Sequence, residues 1–104
     1  MKVYLAGPMR GIPESNYPAF KEAAAKLRAE GHIVFSPVDW DMINHGPDGC
    51  HSETFDLRNA LAADLEWICI EAEAVAMLPG WQNSKGATAE RAAALAIGLE
   101  IFEL

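Results

Sequence analysis

Two acidic residues stand where a surface acid has no reason to be. Asp64 lies three residues after Leu61 and four before Ile68, in a stripe that also takes in Leu57 and Ala72. At about 100° per residue this spacing puts the carboxylate inside the apolar face of a helix rather than beside it. Glu90 repeats the pattern among small residues, with Gly86 and Ala87 one turn before it and Ala93 and Ala94 one turn after. Thr88, Arg91 and Leu95 mark another side, although alanines nearly all round make this helix's facing direction less defined than that of Asp64. A buried carboxylate is destabilising unless it is hydrogen-bonded or paired, so each acid alone is as readily a satisfied structural group as a member of a site. Both come from helices that flank one strand, and both can reach the cleft at that strand's carboxyl end. Paired acids there suit glycosyl chemistry, one carboxylate attacking an anomeric carbon while another group assists.

Two loops are placed to hold a ligand beside these acids. Gly7-Pro8-Met9-Arg10-Gly11 ends the first apolar run. Its glycines permit close backbone approach, its amides can face an anion, and Arg10 can grip a phosphate. The segment is neither a GxGxxG nor a Walker loop, and an ordinary strand-to-helix turn with a solvated arginine accounts for it equally. Pro79 to Gly86 plays the same part later, bringing Ser84 and Gly86 to a helix amino terminus where the macrodipole favours anions. Ser84 also fits a simple helix cap. Trp81 is as good a packing anchor as a stacking face for a base. Tyr4, taken alone, reads as core; Trp40 and Trp67 read as core or interface, His45 and His51 as solvated, and His32 as without a role.

The elements that must position these groups follow from periodicity. Lys2 to Ala6 reads as a strand, residues 18 to 30 as a helix with Pro18 in its first turn and Gly31 past its end, and His32 to Phe35 as a strand. Ser36 to Ser52, with two prolines, two glycines and no clear period, reads as a long loop. Thr54 to Ala72 reads as a helix, Ala74 to Leu78 as a strand, Ser84 to Ile97 as a helix closed by Gly98, and Glu100 to Leu104 as a last strand. Strands this apolar, alternating with helices, predict an α/β fold: a flavodoxin- or Rossmann-like parallel sheet of four to five strands flanked by helices, with ligands at the carboxyl ends. With 104 residues the chain is expected to form one domain, 1–104.

Composition narrows the partners. The formal net charge is −7 and the eight basic residues are scattered, which argues against a nucleic acid polymer or an anionic membrane as a ligand. No apolar run approaches the roughly 18 residues of a bilayer span, and no signal-peptide pattern opens the chain, so a cytoplasmic protein is expected. Cys50 and Cys69 stand far apart without metal-ligand spacing, so two free thiols are expected and no metal site.

Taken together, Tyr4-Leu5-Ala6-Gly7-Pro8-Met9-Arg10-Gly11, Asp64, and the run from Gly80-Trp81 through Ser84-Lys85-Gly86-Ala87 to Glu90 resemble the nucleoside 2-deoxyribosyltransferase superfamily. More narrowly, they are similar to a small branch with a YLAGPM start and a GWxxSxGAxxE segment. The resemblance runs in order along nearly the whole chain, least surely over 36–52, where no residues match those framing the base in that superfamily. It implies that Glu90 is the nucleophile attacking C1′ of a deoxyribose, that Asp64 is the assisting acid, and that Tyr4 positions the nucleophile. Likeness to the 2′-deoxynucleoside 5′-monophosphate N-glycosidases implies that Arg10, Gly11, Ser84 and Gly86 hold the 5′-phosphate; Gly7, Met9 and Trp81 are further expected substrate-binding residues. Transferases of free nucleosides commonly carry an acid at the position of Ser84, so a phosphorylated substrate and hydrolysis are favoured over transfer. The implied enzyme needs no cofactor, serves nucleotide metabolism, and works as a homo-oligomer whose sites are completed near subunit interfaces. The alternative is a catalytically silent module that binds or sequesters a nucleotide.

Overall fold

The computed structural model describes all 104 residues. β1 (Lys2–Ala6), β2 (Ile33–Phe35), β3 (Ala74–Met77) and β4 (Glu100–Glu103) form one sheet in the order β2-β1-β3-β4, and every pairing is parallel. Four helices flank it: α1 (Tyr17–Ala29), α2 (Pro37–His45), α3 (Leu57–Ile70) and α4 (Lys85–Ala96). The Rossmann- or flavodoxin-like α/β arrangement is therefore present with four strands. No helix is long and apolar enough to cross a membrane.

Alternation along the central strands divides the core into two layers. Val3, Leu5, Ala74, Ala76 and Leu78 pack with Phe20 and Ala24 of α1 and Val38 of α2. Tyr4, Ala6, Val75 and Met77 pack with Ile68 of α3 and Ala87 and Ala94 of α4. Tyr4 thus points into the same layer as the helices that carry Asp64 and Glu90. From β1 the chain turns outward to β2, then crosses back to β3 on the opposite side of β1. The switch point of the sheet accordingly lies between β1 and β3, and ligands of open parallel sheets bind at that crevice.

Two expectations need correction. Residues 36–52 are not a structureless loop, for they contain α2 and a short 3-10 turn at Gly49–His51. Ser36 stands extended at the amino cap, Pro37 fills the first turn, and Gly46 stops the helix with φ 81° while its amide bonds back to Met42 at 2.9 Å. That Pro-first, Gly-last punctuation is a helix signature which a search for apolar periodicity passes over. On α3, Leu57 is 51% exposed, and the buried line runs through Ala60, Asp64 and Ile68. Asp56 caps the helix, accepting from the Arg58 amide at 3.0 Å, so Leu57 is its first residue, and Asp64 and Ile68 keep their expected places on the buried face.

β4 is an outer strand of the sheet, and both its terminal acids, Glu100 and Glu103, are exposed. β2 is the other outer strand and only three residues long.

Candidate active site

The three residues assigned chemical roles come together at the switch point. Tyr4 is fully buried, and its hydroxyl donates to Oε2 of Glu90 at 2.7 Å, across 86 positions of sequence. Its ring is held by Phe35, stacked at 5.5 Å and 22°, and by Trp67 of α3 at 6.5 Å. Phe35 and Trp67 also touch each other, at 5.3 Å. This aromatic clamp leaves the phenol little freedom to turn away from its acceptor.

Glu90 is 6% exposed and Asp64 7% exposed, each on the buried line of its helix. The small neighbours Ala87 and Ala94 let α4 sit close on the sheet, which carries the Glu90 carboxyl down to Tyr4. Oε1 of Glu90 accepts no hydrogen bond and is not sealed from solvent. Oδ1 of Asp64 is sealed and has no partner.

Burial governs the protonation of all three. It pushes the Asp64 carboxyl up to about 6, against the pull of hydrogen bonding with Glu90 and Tyr4. Burial, and then the charge of Asp64, hold the Glu90 carboxyl well above the usual carboxylate range, with the Tyr4 hydrogen bond pulling the other way. Burial first, and then the charges of Glu90 and Asp64, raise the Tyr4 phenol well above its ordinary value, so it remains a donor. Two carboxyls this close and this dry cannot both be charged, so the pair keeps a proton into the neutral range.

The two loops expected to hold a ligand meet beside these acids. Gly7 is buried where β1 leaves the sheet, and a Cβ on it would lie 2.7 Å from Cβ of Leu78, so only glycine fits. Pro8 and Gly80 touch across the gap, a Cβ on Gly80 lying 3.5 Å from the proline ring. Asn16 secures the first loop by donating to the Pro8 carbonyl at 2.9 Å, from a run of left-handed residues, Glu14, Ser15 and Asn16, with φ of 57°, 52° and 61°. Met9 is half-buried against the core, while Arg10 and Gly11 are exposed at the loop tip.

Ser84 caps α4, its Oγ accepting from the Ala87 amide at 3.1 Å. The first-turn amides of Lys85 and Gly86 lack intrahelical acceptors, as in any α-helix, and a Cβ on Gly86 would meet only Oγ of Ser84, at 4.0 Å. Trp81 is half-buried, with the Arg91 guanidinium 4.7 Å from its ring centroid and its Nε1 donating to Glu103 at 3.0 Å. Those contacts brace the loop between α4 and β4.

Residues missed in the sequence also surround the cluster. Phe35 supports Tyr4, and Ser36 and Asp41 are each only 3% exposed. Asp41 sits on α2 three residues after Val38 and one before Met42, an acid within an apolar line, the same signal that marks Asp64. The mistaken loop assignment hid it. His45 is half-buried rather than solvated, wedged between Trp40 and Phe55 and bonded through Nδ1 to Thr54 at 2.7 Å. Cys50 and Cys69 are free thiols. No group of three or more His, Cys, Asp or Glu side chains is placed to hold a metal ion.

The fold and the cluster define a class: a parallel α/β protein with a buried tyrosine–glutamate–aspartate group at the switch point of its sheet. The chain belongs to DUF4406, described as a domain of unknown function, whose family model matches residues 1–103 and which falls in the nucleoside 2-deoxyribosyltransferase-like group. No curated protein matches the chain.

Proposed function

We propose that the protein cleaves the base–deoxyribose bond of a 2′-deoxynucleoside, the 5′-monophosphate in preference to the free nucleoside, by way of a glycosyl ester on Glu90. The observation that carries this reading is the 2.7 Å hydrogen bond from Tyr4 to Oε2 of Glu90. It fixes one carboxylate oxygen and leaves Oε1 as the atom that attacks. The pair's proton has to sit on Asp64 for the attack to begin. Oε1 then bonds to C1′, the C1′–N bond breaks with its electrons going to the base, and Asp64 gives its proton to that base. In the second half a water oxygen attacks C1′, Asp64 takes the water's proton, and Glu90 leaves as a carboxylate. Transfer differs only in that a second base takes the place of water.

The α4 amino terminus and the exposed Arg10 support a phosphate-bearing substrate, since helix amides and a guanidinium both suit a dianion. A homo-oligomer is part of the same proposal. Ile70, 70% exposed, lines one cavity with the half-buried Trp40 and Trp67, and Ile33 and Ile43 are 62% and 82% exposed. Sedimentation at micromolar concentration showing monomer alone would remove that part. The low basic content and the absence of a spanning helix fit work on the small nucleotides of the cytoplasm.

The test is incubation with deoxynucleoside 5′-monophosphates and free deoxynucleosides, following base release by chromatography with Glu90→Ala in parallel. Release that is faster for monophosphates and lost in the variant is expected. Tight binding of an intact nucleotide without turnover would instead identify a sequestering module.

A further inference from the structure

A left-handed backbone is disfavoured for any residue with a Cβ, yet Glu14, Ser15 and Asn16 adopt it in succession just before α1. The Gly49–His51 turn secures this run from across the surface. Oγ of Ser15 is bonded to Nε2 of His51 at 2.8 Å, and the Cys50 thiol reaches the same Oγ at 3.6 Å. The Cys50 amide donates to the hydroxyl of Tyr17, the next residue along, at 3.0 Å. That hydroxyl fits only because position 49 is glycine, since a Cβ there would collide with it. Local strain persists where the surroundings over-determine it, and here two residues on one turn hold two of four on the other.

The run delivers one side chain to the first loop. Asparagine is a favoured helix cap, but Asn16 makes no cap hydrogen bond to α1. Its Nδ2 donates instead to the Pro8 carbonyl at 2.9 Å. The Pro8–Met9 peptide is planar and trans, so the Met9 N–H points opposite to that carbonyl. Asn16 begins α1 on one face of the sheet, whereas α4 and Glu90 lie on the other. Drawing the carbonyl toward α1 therefore turns the Met9 N–H toward the face of Glu90. Nothing in the protein accepts from the amides of Met9, Arg10, Gly11 or Ile12.

We propose that Asn16 is a positioning residue for phosphate binding: by tying the Pro8 carbonyl toward α1 it presents the Met9 amide to an anion held between the first loop and the amino terminus of α4. This role rests on the reading that the substrate carries a 5′-phosphate. With the carbonyl released, the Pro8–Met9 peptide is free to turn over, and its oxygen would then face the anion in place of its N–H. That exchanges an attraction for a repulsion. A free nucleoside brings no charge to this place, so the effect belongs to phosphorylated ligands.

The experiment titrates 15N-labelled wild type, Asn16→Gly and Asn16→Asp with inorganic phosphate, following the Met9, Arg10 and Gly11 amides by NMR. It also measures kcat and KM for base release from a monophosphate and from the free nucleoside. Glycine keeps the left-handed backbone and loses only the donor, while aspartate tolerates that backbone and sets an acceptor against the Pro8 carbonyl. In both variants phosphate affinity should fall about tenfold and KM for the monophosphate rise about tenfold, with kcat and the nucleoside KM unchanged. If Asn16→Asp does not fold, Asn16→Gly alone decides. Phosphate affinity equal to wild type, or an equal weakening of monophosphate and nucleoside, overturns the role of Asn16 alone. Wild-type amides that respond to neither phosphate nor monophosphate overturn the phosphate-bearing reading, and this role with it.

Discussion

With Oε2 of Glu90 occupied by the Tyr4 hydroxyl, the carboxylate is turned so that one oxygen serves structure and the other is open. Glu90→Gln should keep the hydrogen bond to Tyr4 and lose the nucleophile, lowering kcat for base release by about a thousandfold or more with little change in thermal stability. Tyr4→Phe should lower kcat by about ten- to thirtyfold, the loss of roughly 1.5 to 2 kcal/mol, while KM moves little, because the bond orients charge rather than substrate. Steady-state kinetics on the preferred monophosphate separates the two. Much of this cluster was legible in the residues. Asp64 and Glu90 showed as acids within apolar lines, because a helix's 3.6-residue period is written directly in spacing. The contact between Tyr4 and Glu90 was not, since 86 residues separate them and only sheet registration brings them together. Tyr4 looked like core from its strand alone, and it is core, with a polar tip that finds its one acceptor on another element.

Elements position these side chains through a few close approaches. Gly7 lets β1 leave the sheet against Leu78, so Gly7→Ala would force a Cβ to within 2.7 Å of the Leu78 Cβ. The expected result is a loss of about 2 kcal/mol or more in urea unfolding, with the first loop displaced and turnover reduced as well. Ser84→Ala removes the α4 cap and should lower stability by about 1 kcal/mol. On the proposed function it should also weaken monophosphate binding more than nucleoside binding, which calorimetry with each ligand would measure. Strands and long helices were readable because their burial is regular, and even their ends agree within a few positions. α2 was not, because nine residues offer too few turns for a period to emerge, and its two half-helical signals were its punctuation, Ser36-Pro37 and Gly46. The cost of that omission was Asp41, whose burial has meaning only once the segment is a helix.

At the scale of the whole molecule the buried acids set the response to pH. Asp41 and Asp64 hold protons up to about 7 and about 6 in the folded state, whereas an unfolded carboxyl releases its proton near about 3.9. The folded state therefore binds more protons between these limits, and stability from these groups is present at the acid end and lost as pH rises through neutrality. The apparent Tm should fall from about pH 5 to about pH 8, opposite to a protein whose carboxylates are stabilised by partners, and Asp41→Asn should flatten the decline. Scanning calorimetry across that range gives the sign; a Tm that climbs with pH in wild type would contradict the burial of uncompensated acids. The same acid conditions act differently on the outer strand β4. An unpaired β-edge is a template on which a strand of another chain can lay itself down, and like charges along the edge repel a second copy. Glu100 and Glu103 stand exposed at the ends of β4. Discharging them takes that repulsion away, so the pH at which an isolated molecule holds together most firmly is also the pH at which it is least protected from growing into fibrils.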